Sequence, residues 1–391
     1  MKVDKSKWAE TAFAEIATSQ LGKTLDANKN KGLPYPYLCA ANIGMGYFNL
    51  SNVKEILLDD SELEKYLVRK GDLLICEGGD TGRCAIWESE EPIYYQNALH
   101  RVRFNDNVHN KFIMYYLHYY KKVGIIDKLS HGQTIKHFTQ KGLSKLSFRM
   151  PTISEQKGIA SELDAIQAMI DGYNAQLHDL DELIKSIFND TFGEPISNPK
   201  GWDVDILENI VSDDCPITYG IVQPGDDVNE GIPVVRPVDL IGTYVNKTFL
   251  KKVSPEISDS YKRTILKGNE ILICVRGTTG VVSFATEDMK GCNVTRGIVP
   301  LSFIRHNKWF MYWCIKSYEM NNLIQKYTKG ATLKQINIKD LRQLPFPTPP
   351  LELQEKFGKQ AELIETQRAL LNQQISDARN LMAERMQYYF S

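Results

Sequence analysis

The chain has 391 residues, of which 42% are hydrophobic and 24% are charged, and its net charge is −1; these values are typical of a soluble globular protein. It contains no run of about 18 apolar residues and therefore predicts no membrane span. Its seven cysteines are an odd number without close spacing, which indicates free thiols rather than a disulfide framework. Polar residues follow the N-terminus instead of the apolar core of a secretory signal, so we expect a cytoplasmic protein.

The first part of the chain, residues 1–150, has a mixed composition. Residues 72–76 are rich in β-formers and precede a glycine-rich stretch, while residues 110–121 have a helical pattern. Pro151 then marks the start of a long helix that extends to about residue 192. This part of the sequence predicts one globular domain followed by one helix.

The second part repeats the first at a distance of 198 residues. Gly132 recurs as Gly330 and Gln156 recurs as Gln354, since 330 − 132 and 354 − 156 both equal 198. A solenoid has units of about 20–50 residues, so this period indicates a duplicated domain. We predict a first domain at 1–150, a central helix at 151–192, a second domain at 193–348 and a C-terminal helix at 349–391.

Apolar residues recur along both helices with the 4-3 spacing of a coiled-coil seam. The predicted seam positions are Ile159, Leu163, Ile166, Ile170, Leu177, Leu180, Ile184, Phe357, Ile364, Leu371, Ile375 and Met382. In the second helix, Arg368 and Arg385 interrupt the pattern. The alternative is that each helix packs only on its own domain.

The link that follows the first helix suggests how the helices run. This helix rises about 50 Å at ~1.5 Å per residue, and a short link rich in Gly and Pro connects it to the second domain. The second helix then has to run back along the first. We therefore predict an α+β fold in which an antiparallel two-helix coiled-coil spacer separates two α/β domains related by a pseudo-twofold axis.

Several polar groups suit contact with DNA. Glycine-rich loops carry Thr81, Arg83, Arg276, Thr278 and Thr279, although plain hairpin turns would look the same. A second polar cluster contains Gln96, Asn97, His100 and Arg101 in the first half, and Asn293, Thr295 and Arg296 in the second. Here Asn293 is matched to Asn97, since 293 − 97 = 196 and the repeat has slipped slightly from 198. Asn and Gln suit adenine and Arg suits guanine in the major groove, but polar residues at a strand edge would also fit this pattern.

Local charge supports a phosphate-binding surface. Residues 121–145 carry six lysines against one acid, and residues 326–342 carry five basic residues against one acid. The patch has the same position in both repeats. A solvated charged face is the alternative explanation.

The sequence also resembles a known family. The pattern consists of Gly-x-Thr at residues 132–134, Pro151, and Glu155 with Gln156 at the start of the helix. It is similar to the end of a target-recognition domain in the specificity (S) subunits of type I restriction-modification systems. It recurs at residues 330–354, where Leu353 replaces the Glu. The motif adds these residues to the predicted DNA contacts: Thr134, Lys136, His137, Thr332 and Lys334.

The resemblance implies a non-catalytic specificity subunit. Each domain would read one half of a bipartite double-stranded DNA site, and the helices would dock two methyltransferase (M) subunits, with restriction (R) subunits joining the complex. The residues themselves predict no cofactor, metal site or catalytic motif: the histidines lack metal spacing, and Asn198-Pro199 is followed by lysine instead of the Pro-Tyr of amino-methylating enzymes. The alternatives are a coiled-coil adaptor that does not bind DNA and a fused restriction-modification enzyme.

Overall fold

The computed structural model describes residues 3–26, 30–132, 136–330 and 333–391. The chain forms two compact units: the first comprises Met1–Asn174 and Asn372–Ser391, and the second comprises Ala175–Leu371. Each unit therefore contains a set of sheets and part of each long helix. No helix within the described ranges is both long and apolar enough to cross a membrane.

The first unit contains antiparallel and mixed sheets. Its strands are β1 (Ala9–Ala12), β2 (Ala17–Leu21), β3 (Leu33–Leu38), β4 (Lys54–Leu58), β5 (Leu67–Val68), β6 (Leu73–Cys76), β7 (Cys84–Ile86), β8 (Ile93–Tyr95), β9 (Leu99–Phe104) and β10 (Ser147–Met150). One antiparallel sheet has the order β2-β9-β6-β7, and another sheet has the order β4-β3-β8-β5, in which β3 and β8 are parallel. Strands β1 and β10 form a separate antiparallel pair.

The second unit repeats this plan with shorter strands. They are β11 (Val204–Ile206), β12 (Ile232–Val235), β13 (Lys251–Val253), β14 (Ile271–Cys274), β15 (Val282–Phe284), β16 (Asn293–Val294), β17 (Ile298–Leu301) and β18 (Pro345–Pro347). Strand β14 lies between β15 and β17, as β6 lies between β7 and β9. Strand β12 pairs with β13 and, in parallel, with β16, as β3 pairs with β4 and β8. The duplication seen in the sequence is therefore present in the strand topology.

The repeated Leu-Ile-Cys sequence forms the central strand of each unit. Leu73 and Ile75 face one hydrophobic core, whereas Leu74 and Cys76 face another. In the same way, residues of β14 alternate between two cores in the second unit. Because side chains alternate across a strand, burial on both faces requires an unbroken apolar run. This requirement accounts for the apolar character of both copies.

The helices also follow the duplicated order. They are α1 (Phe13–Ile16), α2 (Asp60–Tyr66), α3 (Asn110–Lys122), α4 (Ile125–Leu129), α5 (Gln140–Leu143), α6 (Ile153–Phe192), α7 (Leu207–Ile210), α8 (Pro255–Asp259), α9 (Lys308–Lys316), α10 (Tyr318–Tyr327), α11 (Ile338–Arg342) and α12 (Leu351–Phe390). Short 3-10 turns occur at Lys5–Lys7, Ala40–Asn42, Pro237–Asp239, Lys247–Phe249, Lys262–Thr264 and Glu287–Met289. Ser317 separates α9 from α10, because it ends α9 and caps α10 with its side chain.

The repeated glutamine at the start of each long helix is a buried anchor. The side-chain oxygen of Gln156 accepts a hydrogen bond from the backbone N–H of His109 at 2.8 Å, and its amide donates to the carbonyl of Pro151 at 3.0 Å. Gln354 makes the same two bonds with Asn307 and Pro349, at 3.0 and 2.8 Å. Each glutamine thus ties a long helix to the residue that precedes α3 or α9.

Near the helix ends, the apolar seam packs against the other long helix and also against the adjoining domain. In the first unit, Ile159, Leu163, Ile166 and Ile170 share one core with domain residues and with the end of α12, where Phe390 stacks on Tyr116 at 4.5 Å between ring centroids. In the second unit, Ile184 shares a core with Phe357 and Ile364. Leu371 and Ile375 are buried, whereas Leu177, Leu180 and Met382 are partly exposed. The seam positions therefore pack on both the partner helix and the adjoining domain.

The two arginines that interrupt the seam are paired with acids on the other helix. In the first unit, Arg385 Nε donates to Glu162 Oε1 at 2.5 Å. In the second unit, Arg368 forms an ion pair with Asp181, and the rings of Phe188 and Phe357 lie 5.5 Å apart. Since later residues of α6 pair with earlier residues of α12, the two helices are antiparallel, as predicted.

Candidate nucleic-acid interface

Three segments that are distant in sequence meet at one edge of the first unit. The backbone N–H of Glu77, at the end of β6, donates to the carbonyl of Ala98 at 2.8 Å. The N–H of Phe138 donates to the carbonyl of Glu77 at 2.7 Å. The turn before β9, the loop after β6 and the segment after His131 are therefore adjacent. We name residues 77–78, 96–98 and 136–138 the first rim.

The second unit builds the same edge from equivalent segments. The backbone N–H of Val275 donates to the carbonyl of Gly297, and the N–H of Ile336 donates to the carbonyl of Val275, at 2.8 and 3.0 Å. The N–H of Gly277 also donates to the carbonyl of Lys334 at 2.8 Å. We name residues 275–278, 295–297 and 334–336 the second rim.

Most of the predicted DNA-contacting residues that the structure describes lie on these rims. Gln96 and Asn97 are partly exposed on the first rim, where Lys136 and His137 are exposed. On the second rim, Arg276 and Arg296 are partly exposed, while Thr278 and Lys334 are exposed. Each rim therefore combines polar groups suited to base edges with at least one lysine suited to phosphates.

The guanidinium groups of Arg83 and Arg101 donate their hydrogen bonds to other groups of the protein. Arg101 is 7% exposed, and its guanidinium donates to the carbonyls of Lys65 and Leu67 and to the side chain of Gln20. Arg83 donates to the carbonyls of Ile43 and Ala40 at 2.7 and 3.1 Å. We correct the expectation that these arginines present free donors to DNA, because their hydrogen-bonding capacity supports neighbouring backbone instead.

Thr81 and Thr279 also face the protein interior. Thr81 is 3% exposed and accepts a hydrogen bond from the hydroxyl of Ser130. Thr279 is 4% exposed, and its hydroxyl lies 3.0 Å from that of Thr328. Both threonines fasten a glycine-rich loop to a helix end, so we correct the expectation that they contact DNA directly.

The structure also corrects how the two polar clusters correspond. Asn293 is fully buried and bonds Thr264 and Ser258, so it is not the counterpart of Asn97. The N–H of Asn97 donates to the carbonyl of Lys23, whereas the N–H of Arg296 donates to the carbonyl of Ile221. Asn97 and Arg296 are therefore equivalent, with an offset of 296 − 97 = 199 residues. The offset of 196 that matched Asn97 with Asn293 is therefore wrong for this stretch.

Two predicted contacts, Thr134 and Thr332, lie outside the described residues. Their described neighbours Lys136, His137, Leu333 and Lys334 are exposed. The involvement of Thr134 and Thr332 stays a prediction.

The predicted basic patch contains both engaged and exposed side chains. Lys121 forms an ion pair with Asp80 at 2.5 Å, and Arg342 donates to the carbonyl of Ile217 at 3.0 Å. The exposed members are Lys122, Lys128, Lys136, Lys141, Lys145, Lys326, Lys329, Lys334 and Lys339. The patch is thus carried by lysines around the segments that complete both rims.

Burial disfavours the charged forms of one thiol and one imidazole and shifts their pKa values accordingly. Burial raises the pKa of the Cys76 thiol to about 11, and it lowers the pKa of His118 to about 4. Neither group is therefore charged at neutral pH, so neither is an activated nucleophile or a cationic contact. Within the described ranges, no cluster of three His, Cys, Asp or Glu residues could hold a metal ion.

Sequence comparison matches residues 5–180 and 219–377 to the type I restriction modification DNA specificity domain. The chain is 26% identical over 341 residues to the type I restriction enzyme EcoBI specificity subunit of Escherichia coli, which covers 81% of this chain and 71% of that protein. It is 27% identical over 376 residues to the putative type I restriction enzyme MjaX specificity subunit of Methanocaldococcus jannaschii, covering 88% of this chain and 83% of that protein.

Solved structures share the fold. The S subunit of a type I restriction-modification system from M. genitalium has a TM-score of 0.59 at 15% identity, and the match covers 100% of this chain and 98% of that one. A chain from work on complex assembly and conformational transition of the type I R-M system has a TM-score of 0.60 at 16% identity, with 98% and 97% coverage.

The chain belongs to the family of type I restriction-modification DNA specificity domains. This membership confirms the predicted specificity subunit, a component of the restriction-modification complex that is not itself an enzyme. The family membership does not favour the alternative hypothesis of a coiled-coil adaptor that does not bind DNA. The sequence signal behind it was the duplicated Gly-x-Thr, Pro and Gln pattern.

Proposed function

We propose that the two rims bind the two halves of a bipartite DNA site, one rim to each half. The observation that supports this is the repeated three-segment edge, which uses the same backbone hydrogen bonds in both units but carries different side chains. The equivalent backbone hydrogen bonds give the two rims the same local geometry. Unequal side chains suit two different base sequences.

The long helices would dock the catalytic partners. We propose that two M subunits bind α6 and α12, that R subunits join this assembly, and that the complex acts in the cytoplasm. Both helices carry exposed apolar side chains, including Met169, Leu183, Leu363, Leu370 and Leu381. Exposed leucines on paired helices suit a protein partner, because contact with that partner would remove apolar surface from water.

Methylome sequencing of cells that carry the chain with its M subunit tests this function. We expect one modified motif with two specified parts and an unspecified gap. Deleting the chain while keeping the M subunit should abolish that motif. A continuous motif without a gap, or a motif that survives the deletion, would contradict the proposal.

Copurification tests the docking surface separately. Replacing Leu363 and Leu370 with Glu should release the M subunit while the isolated chain keeps its melting temperature, because both side chains are exposed. The matched control replaces the exposed Glu355 and Lys359 of the same helix with Ala. Retention of the M subunit by the Leu variant would place docking elsewhere.

A further inference from the structure

Tyr219 is bound to the second rim through its hydroxyl group. The hydroxyl oxygen accepts a hydrogen bond from the side-chain amide of Gln335 at 3.0 Å and from the backbone N–H of Ile338 at 3.3 Å. Gln335 is held in turn by reciprocal backbone bonds with Lys329, each 2.8 Å long. The tyrosine ring therefore has a defined position beside the rim.

Arg296 lies over this ring. Its guanidinium carbon is 5.8 Å from the ring centroid of Tyr219, within the range of a cation–π contact. Among the described residues, its side chain has no hydrogen-bond or ion-pair partner, and it is partly exposed. By contrast, the guanidinium of Arg236 is occupied by Asp239 at 2.7 and 3.0 Å. Arg296 is oriented by an aromatic surface while its donors stay available.

The first rim has neither part of this pair. Asn97 occupies the position equivalent to Arg296, and the position 198 residues before Tyr219 is Leu21. The arginine and its aromatic support are therefore confined to the second unit. A difference of this kind is what two rims with different base preferences would need.

Resting on the function proposed above, we propose that Arg296 reads a guanine in the half-site of the second unit and that Tyr219 is its positioning residue. A planar guanidinium can donate two parallel hydrogen bonds to O6 and N7 of guanine in the major groove. Holding the guanidinium over a fixed ring reduces the conformational freedom lost on binding. Its five donors remain available to the base.

The test is selection from randomised DNA duplexes by the full chain in complex with its M subunit. The wild-type complex should select one guanine whose preference depends on Arg296. Arg296→Ala should reduce discrimination at that base pair by roughly 5- to 150-fold, with the other positions unchanged. Arg296→Gln should shift the preference at that position toward adenine, because the glutamine amide matches adenine N6 and N7.

Two variants of Tyr219 and one control test whether Tyr219 positions Arg296. Tyr219→Leu, which copies the first unit, should reduce guanine discrimination roughly 2- to 5-fold without changing affinity for unrelated DNA. Tyr219→Phe keeps the ring but loses the two hydrogen bonds of the hydroxyl, so it should reduce guanine discrimination less than Tyr219→Leu does. Arg305→Ala removes an exposed arginine beyond the opposite end of β17 and should change neither property.

The outcomes distinguish the two proposals. A wild-type complex that selects no motif would reject the proposed function itself. If the wild type selects a bipartite motif but Arg296→Ala and Arg296→Gln leave it intact, or weaken all sequences equally, the assignment of Arg296 is wrong. An unchanged preference in Tyr219→Leu would reject the role of Tyr219.

Discussion

Arg385 and Glu162 form an ion pair across the two long helices within the first unit, with Nε and Oε1 2.5 Å apart. The Tyr389 hydroxyl also donates to Glu162, at 2.7 Å. Burial alone would raise the pKa of Glu162, but hydrogen bonds and charge, including the bonds from Arg385 and Tyr389, outweigh it and lower the pKa to about 2. The pair replaces an apolar contact at a seam position with a contact that depends on pH.

Glu162→Gln should therefore lower stability by about 1 kcal/mol near neutral pH. A carboxyl with a lowered folded-state pKa stabilises the fold above its ordinary pKa of 4.5, and this contribution is lost as pH falls toward about 2. Melting temperatures of wild type and variant should differ at neutral pH and converge in acid. The exposed Glu182→Gln is the control, and an equal effect of both substitutions would contradict the prediction.

Gln354→Ala should destabilise the second unit by about 1–3 kcal/mol, because it leaves the part-buried N–H of Asn307 and the buried carbonyl of Pro349 without their partner. Chemical denaturation of the full chain measures this loss. Gln373→Ala removes a surface amide from the same helix, where Gln373 bonds only Asp377 among the described residues, and should have little effect. Similar losses in both variants would argue against the anchor.

Lys136→Ala should weaken DNA binding for all sequences and reduce the slope of log affinity against log salt by about 1. Lys136 is exposed on the first rim, and a lysine that contacts phosphate releases a counterion without reading a base. Fluorescence titration over a salt series measures the slope. Lys157→Ala, on α6, is the control; a changed base preference in Lys136→Ala would instead assign base recognition to Lys136.

Gly82→Ala should cost more than about 1–2 kcal/mol, because the residue has φ +79° and an added Cβ would lie 2.7 Å from Ile126 Cγ2. Gly280 has φ +90° in the equivalent loop, but its nearest neighbours would be 3.4 Å away, so Gly280→Ala should cost less. Gly172 lies on α6 with no atom within 4 Å of an added Cβ, so Gly172→Ala should raise stability because alanine favours the helix. Thermal unfolding of the three variants tests this order.

The fold was largely predictable because its signals are local and occur twice. Pro151, Gln156 and the apolar spacing of the first helix all belong to segments that recur after 198 residues, so the sequence shows them twice. Pairing between distant segments was harder to predict. Arg368 and Arg385 interrupt the apolar pattern in the sequence, but in the structure they pair with Asp181 and Glu162 on the other helix. The predicted antiparallel register could have indicated such acids.

The candidate site was predicted less completely, for a physical reason. Residue type does not distinguish an arginine with free donors from one that saturates backbone carbonyls, so Arg101 and Arg296 looked alike in sequence. Tyr219 gave no signal, since its role depends on Gln335, which is 116 residues away. Burial and hydrogen-bond partners decide both cases, and they follow from tertiary structure.

Strands β6 and β14 carry a consequence for how new specificities arise. Every side chain of these strands packs into one of two cores, so the strands tolerate few substitutions. The exposed rim side chains beside these strands, including Lys136, Thr278 and Lys334, belong to neither core. Under the proposed function, mutations of such side chains can alter which bases are preferred with little loss of folding stability. Evolution can therefore change the recognised DNA sequence while the packing that supports it stays the same.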